Sequence, residues 1–117
     1  MRPTTTYSAL VGAILTRFRH QTGRQQAEVG EAVGLNQSGW SKIERGTVGL
    51  TIETLALAAP LLGVEPGAVM AEADRVARYL EGRGVQVLRS RQLLVDEALQ
   101  GQLSVRALAA LVDAAQA

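Results

Sequence analysis

The side chains best suited to chemistry lie in one short stretch, Asn36-Gln37-Ser38-Gly39-Trp40-Ser41-Lys42. Amides and hydroxyls at the first turn of a helix can read base edges in the major groove of DNA, and a glutamine can bond adenine in bidentate fashion. Asn36 is placed to cap that helix, its side-chain oxygen accepting from a free amide of the first turn. Lys42, Arg45 and, upstream, Arg24 are the cations nearest this face and suit phosphates. Catalysis finds no comparable set. With no cysteine and a single histidine, His20, thiol chemistry, zinc fingers and a Ser-His-Asp arrangement lack their parts. Asp96 and Glu97 are neighbours and so point to different faces of a helix. The expectation is a protein that is not an enzyme and uses no cofactor or metal.

The polar stretch needs a frame that holds it outward. Val29, Val33, Leu35, Trp40 and Ile43 are spaced to pack two short helices, 25–33 and 37–45, against the rest of a domain. Gly30 falls where those helices approach most closely, a place for Gly or Ala. Gly34 falls in the turn, where a positive φ is cheap only for glycine. The net charge of the 117-residue chain is only +1. From Tyr7 to Met70, Arg17, Arg19, Arg24, Lys42 and Arg45 balance Glu28, Glu31, Glu44, Glu53 and Glu65. A DNA partner therefore requires positive charge gathered on one face rather than in the total.

Around this frame the pattern is helical almost throughout. A first helix over 7–22 carries Val11, Ile14, Leu15 and Phe18 and ends at Gly23. A fourth over 52–62, capped by Thr51, places Ile52, Leu55, Ala59 and Leu62 on one face and is shortened or kinked by Pro60. Pro66 suits the start of a fifth, with Met70, Ala73, Ala77 and Leu80 in one stripe. Gly82-Arg83-Gly84 breaks it, and Val85-Gln86-Val87-Leu88 can form a short strand. Ser90 and Ser104 mark two more helices, 91–100 and 105–115, the latter with Val105, Leu108, Ala109 and Val112 on one face. Arg2 and the threonines after it read as a frayed tail or as an arm towards DNA. No apolar run approaches the ~18–20 residues of a membrane span, and no signal peptide is evident. The fold expected is mainly α, a five-helix domain at 7–70 followed by a helical segment at 71–117.

The strings Gln26-Ala27-Glu28-Val29-Gly30-Glu31-Ala32-Val33-Gly34-Leu35 and Ser38-Gly39-Trp40-Ser41-Lys42-Ile43-Glu44-Arg45-Gly46, followed by Glu53-Thr54-Leu55 and Leu62-Gly63-Val64, resemble the XRE family of phage-repressor-like (Cro/cI-type) helix-turn-helix domains. The resemblance runs from Leu15 to Met70. It implies a five-helix domain, usually dimeric, on an inverted-repeat operator. It implies that Gln26 bonds a phosphate and braces Gln37, and that Asn36, Gln37, Ser38 and Lys42 face bases or nearby backbone. Arg24 replaces a usual apolar residue, which suits a phosphate contact, and Trp40 is larger than the usual Ile or Val.

These readings converge on a cytoplasmic, sequence-specific transcriptional repressor that binds double-stranded DNA as a homodimer. The site set is Arg24, Gln26, Asn36, Gln37, Ser38, Ser41, Lys42 and Arg45. The apolar stripes after Ala71 and the strand at 85–88, paired with its two-fold mate, are the expected dimer contacts. The alternative is an antitoxin-like protein whose C-terminal half binds a protein partner and whose operator binding is autoregulatory; a toxin-like neighbouring gene would favour it.

Overall fold

Side-chain caps set the helix starts. Thr6, Asn36, Thr51 and Ser104 each accept a hydrogen bond from an amide three residues on, satisfying a donor that no helix carbonyl can reach. The computed structural model describes residues 2–117 and runs β1 (Thr4–Thr6), α1 (Tyr7–Thr22), α2 (Gln26–Ala32), α3 (Gln37–Glu44), α4 (Ile52–Ala58), a 3-10 turn (Ala59–Leu62), α5 (Pro66–Gly82), β2 (Gln86–Leu88), a second 3-10 turn (Arg91–Leu93), α6 (Asp96–Gln100) and α7 (Val105–Ala114). The fold is mainly helical, as expected. Pro60 has the effect its missing N–H demands: α4 stops at Ala58 and the chain tightens into the 3-10 turn.

The first helix is the axis of the core. Its Leu10, Ile14 and Leu15 are fully buried, with α3 on one side and α5 and α7 packed against it elsewhere. Three polar links reinforce these contacts. The Tyr7 hydroxyl donates to Asp74 of α5 at 2.7 Å, Arg17 pairs with Asp113 of α7 at 2.5 Å, and Arg75 of α5 donates to the Ala115 carbonyl at 2.8 Å.

Several expectations for the C-terminal half are corrected here. Ala73, Ala77, Leu80, Leu108 and Val112 are at most 2% exposed. They fill the chain's own core beside α1 instead of forming a spare surface. Met70 and Val105, at the outer ends of their stripes, are exposed, and Ala115 takes the last place in the buried face of α7. In α4 the buried positions are Leu55, Ala58 and then Ala59 and Leu62, whereas Ile52, in the first turn and beyond the packed layer, is 84% exposed. Leu35 is also exposed, its packing role passing to Val33 and Trp40. The helix expected over 91–100 is broken because Leu94 and Val95 are extended. Only Asp96–Gln100 is α-helical, with two carboxylates in its first turn, where the helix dipole favours them.

The amino-terminal threonines are neither a tail nor a DNA arm. Thr4, Thr5 and Thr6 are each 1% exposed. β1 pairs in parallel with β2, Thr4 opposite Gln86, Thr5 opposite Val87 and Thr6 opposite Leu88. On its other side, Thr4 accepts from the Leu103 amide and donates to the Gly101 carbonyl, both at 2.8 Å. The strand at 85–88 therefore pairs within its own chain, through the edge that meets β1. Among the described residues no single helix is long and apolar enough to cross a membrane.

Candidate nucleic-acid interface

The eight residues of α3 divide cleanly by face. Trp40, Ile43 and Glu44 are buried. Gln37, Ser38, Ser41 and Lys42, continued by Arg45 past the helix end, lie on the opposite arc, where only Ser41 is partly covered. Asn36 caps the helix by accepting from Gly39 N–H at 2.8 Å. Two close backbone approaches hold this helix in place. A Cβ on Gly30 would sit 2.4 Å from the Asn36 carbonyl oxygen, and one on Gly12 of α1 would sit 2.3 Å from that of Glu44. Both obstacles are backbone, so the expectation that alanine fits at Gly30 is overturned: the crossing admits glycine alone.

Beneath the exposed arc runs a polar relay. Arg19 donates to both oxygens of Glu44, from Nε at 2.6 Å and from Nη2 at 3.0 Å. Glu44 also accepts from Trp40 Nε1 at 2.6 Å and from Gln26 Nε2 at 2.8 Å. Gln26 in turn accepts from Gln37 Nε2 at 2.8 Å. Burial alone would raise the Glu44 carboxyl's pKa. The bonds from Arg19, Gln26 and Trp40, with the Arg19 charge, outweigh it and hold the group below the usual carboxylate range. The carboxylate therefore stays ionised and fixes the Gln26 amide. That amide fixes Gln37 with its carbonyl oxygen and second N–H still free, and these are the two atoms adenine's exposed N6 and N7 require.

The structure thus brings Gln26 and Gln37 together and sets Asn36, Ser38, Ser41, Lys42 and Arg45 along the same helix. Arg45 Nε lies 3.4 Å from the Ser41 carbonyl. Arg24 lies outside this group, at the α1–α2 turn, where it pairs with Glu28 at 3.4 Å while exposed. Glu28 also accepts from the Gln25 amide at 3.1 Å, starting α2. Sequence reasoning passed over Arg19 and Glu44, which orient the site from within. The available signal was slight: Arg19 stands in the polar last turns of α1, between Phe18 and His20, and Glu44 stands one turn after Trp40.

Residues 10–73, more than half of the chain, match the family model described as "Helix-turn-helix domain". Among solved structures the chain is similar to the clp gene regulator ClgR from Corynebacterium glutamicum. Identity is 29% and the TM-score 0.55, over 66% of this chain and 93% of that one. No curated protein matches. The XRE-like resemblance read from the sequence agrees with both matches.

Proposed function

The chain belongs to the helix-turn-helix domain family, and we propose that it is a sequence-specific transcriptional repressor that binds an inverted-repeat operator as a homodimer. The observation that carries this reading is the relay from Arg19 through Glu44 and Gln26 to Gln37. It spends a buried ion pair on orienting one exposed amide, which is useful where that amide must address a base edge. Asn36, Gln37 and Ser38 face the bases, Gln26 bonds a phosphate while bracing Gln37, and Ser41, Lys42, Arg45 and Arg24 serve the backbone. The similarity to a gene regulator supports the same assignment. The helix-turn-helix family and the likeness to a gene regulator support action by binding.

One helix-turn-helix domain covers one half-site, and a two-fold operator requires a second copy about one DNA turn away. We assign that contact to the segment 71–117, through residues its core leaves outside: Leu93, Val95 and Leu99, each at least half exposed. These same residues favour a second reading, in which they bind a partner protein and operator binding is autoregulatory. Selection of bound sites from random duplex DNA, with footprinting and sedimentation of the full chain, tests both. Two half-sites about 10 base pairs apart and a dimeric chain are expected. A single isolated half-site with a monomeric chain would contradict the homodimer and leave those residues to the partner protein.

A further inference from the structure

Arg91 belongs to the C-terminal segment yet is bonded to the helix-turn-helix half, its Nη1 donating to the Thr47 carbonyl. Thr47 folds back on the recognition helix. Its amide and hydroxyl donate to the Lys42 carbonyl at 3.0 and 3.2 Å. The Arg91 guanidinium is therefore anchored beside the C-terminal end of α3, next to the residues that carry Lys42 and Arg45. An eight-residue helix spans about 12 Å, close to the ~12 Å width of the major groove. When its first turn meets base edges, its last turn and the loop after it leave past the groove wall, where the phosphates run. An arginine has five N–H donors and Thr47 engages one of them. Among the described residues no carboxylate pairs with Arg91.

Arg89, two residues earlier, is differently placed. It lies over the Tyr7 ring, 5.1 Å from the centroid, and 3.7 Å from the Glu81 carboxylate, so it is committed to α1 and α5.

We propose that Arg91 binds a DNA phosphate, carrying the backbone footprint of the helix-turn-helix domain into the C-terminal segment, and that Arg89 does not. The proposal rests on the DNA-binding reading above. Its test is the salt dependence of binding to a selected duplex and to a random one, for the full-length protein and the variants R91Q, R91K and R89Q. Loss of one phosphate contact lowers the slope of log K against log salt by about 0.9. R91Q is expected to lose that much on both duplexes, while R91K and R89Q keep the parent slope. A parent slope in R91Q overturns the proposal, even with weakened affinity, because Arg91 would then only hold the Thr47 loop. A slope lost in R89Q but kept in R91Q overturns it as well. A parent protein that binds neither duplex overturns the DNA-binding reading itself and this proposal with it.

Discussion

The α2–α3 hairpin and the segment from β2 to α7 both lean on α1, and they are fixed to it by different physics. The hairpin is held by a buried ion pair, Arg19 with Glu44, and by the close approach of Gly12 to the α3 carbonyls, while Gly30 makes a second such crossing inside the hairpin, neither with room for a methyl group. The C-terminal segment is held mainly by apolar burial, with Leu108, Val112 and Ala115 at 5% exposure or less, and by the buried threonine strand at the other end of the chain. Directional polar bonds define an orientation, whereas apolar contact defines attachment and tolerates rotation. The half proposed to address base edges has the first kind of support. The half proposed to carry the second copy and the Arg91 contact has the second.

The largest effect expected from breaking this contrast is at Glu44. Glu44→Ala leaves the Arg19 charge buried without its partner and should cost about 3–5 kcal/mol, read as a urea-melt midpoint. In the apolar half, Leu108→Ala should cost about 2–5 kcal/mol through the cavity it leaves. The loss should appear as one cooperative transition of the whole chain, because α7 shares its core with α1. Two separated transitions would mean that the two regions are independent domains. Gly30→Ala should cost about 1–3 kcal/mol by overpacking against the Asn36 carbonyl. A neutral alanine there would show that the helices can part without loss.

Acid should act most mildly and on both regions. Glu44 and Glu72 are held below the ordinary carboxyl value of 4.5, Glu44 against the rise that burial causes and Glu72 first by its bond from Arg75. A depressed folded-state pKa stabilises the fold above the unfolded value and loses that contribution as pH falls through the folded value. Melting midpoints should therefore hold near neutrality and decline as pH drops below 4.5. A midpoint that rises on acidification would contradict the paired-carboxylate account.

Local signals in the sequence were legible and long-range ones were not. Asn36, Thr51, Ser104 and Pro66 mark helix starts by chemistry that acts within four residues, and all four stand where that chemistry places them. The exposed arc of α3 was likewise readable from helical spacing. The Arg19–Glu44 pair spans 25 residues, and no periodicity links its members. Gly12 resembles any glycine in a helix until the carbonyls of α3 are seen against it. Thr4-Thr5-Thr6 read as polar tail because their burial depends on backbone pairing with β2 and with Gly101 and Leu103, some eighty to a hundred residues away. The stripes of α5 and α7 were legible as apolar faces, but periodicity does not say whether such a face covers its own core or a second copy.

The central claim is that the buried relay exists to present Gln37 to a base, and one titration tests it most directly. Full-length protein and Gln37→Ala would be titrated against the selected operator duplex and a random duplex at fixed salt. The account predicts that the parent binds operator about 10³-fold or more tighter than random DNA. The variant should lose about 1–3 kcal/mol on operator alone while its melting midpoint is unchanged. Equal losses on both duplexes, or no loss on either, would contradict it.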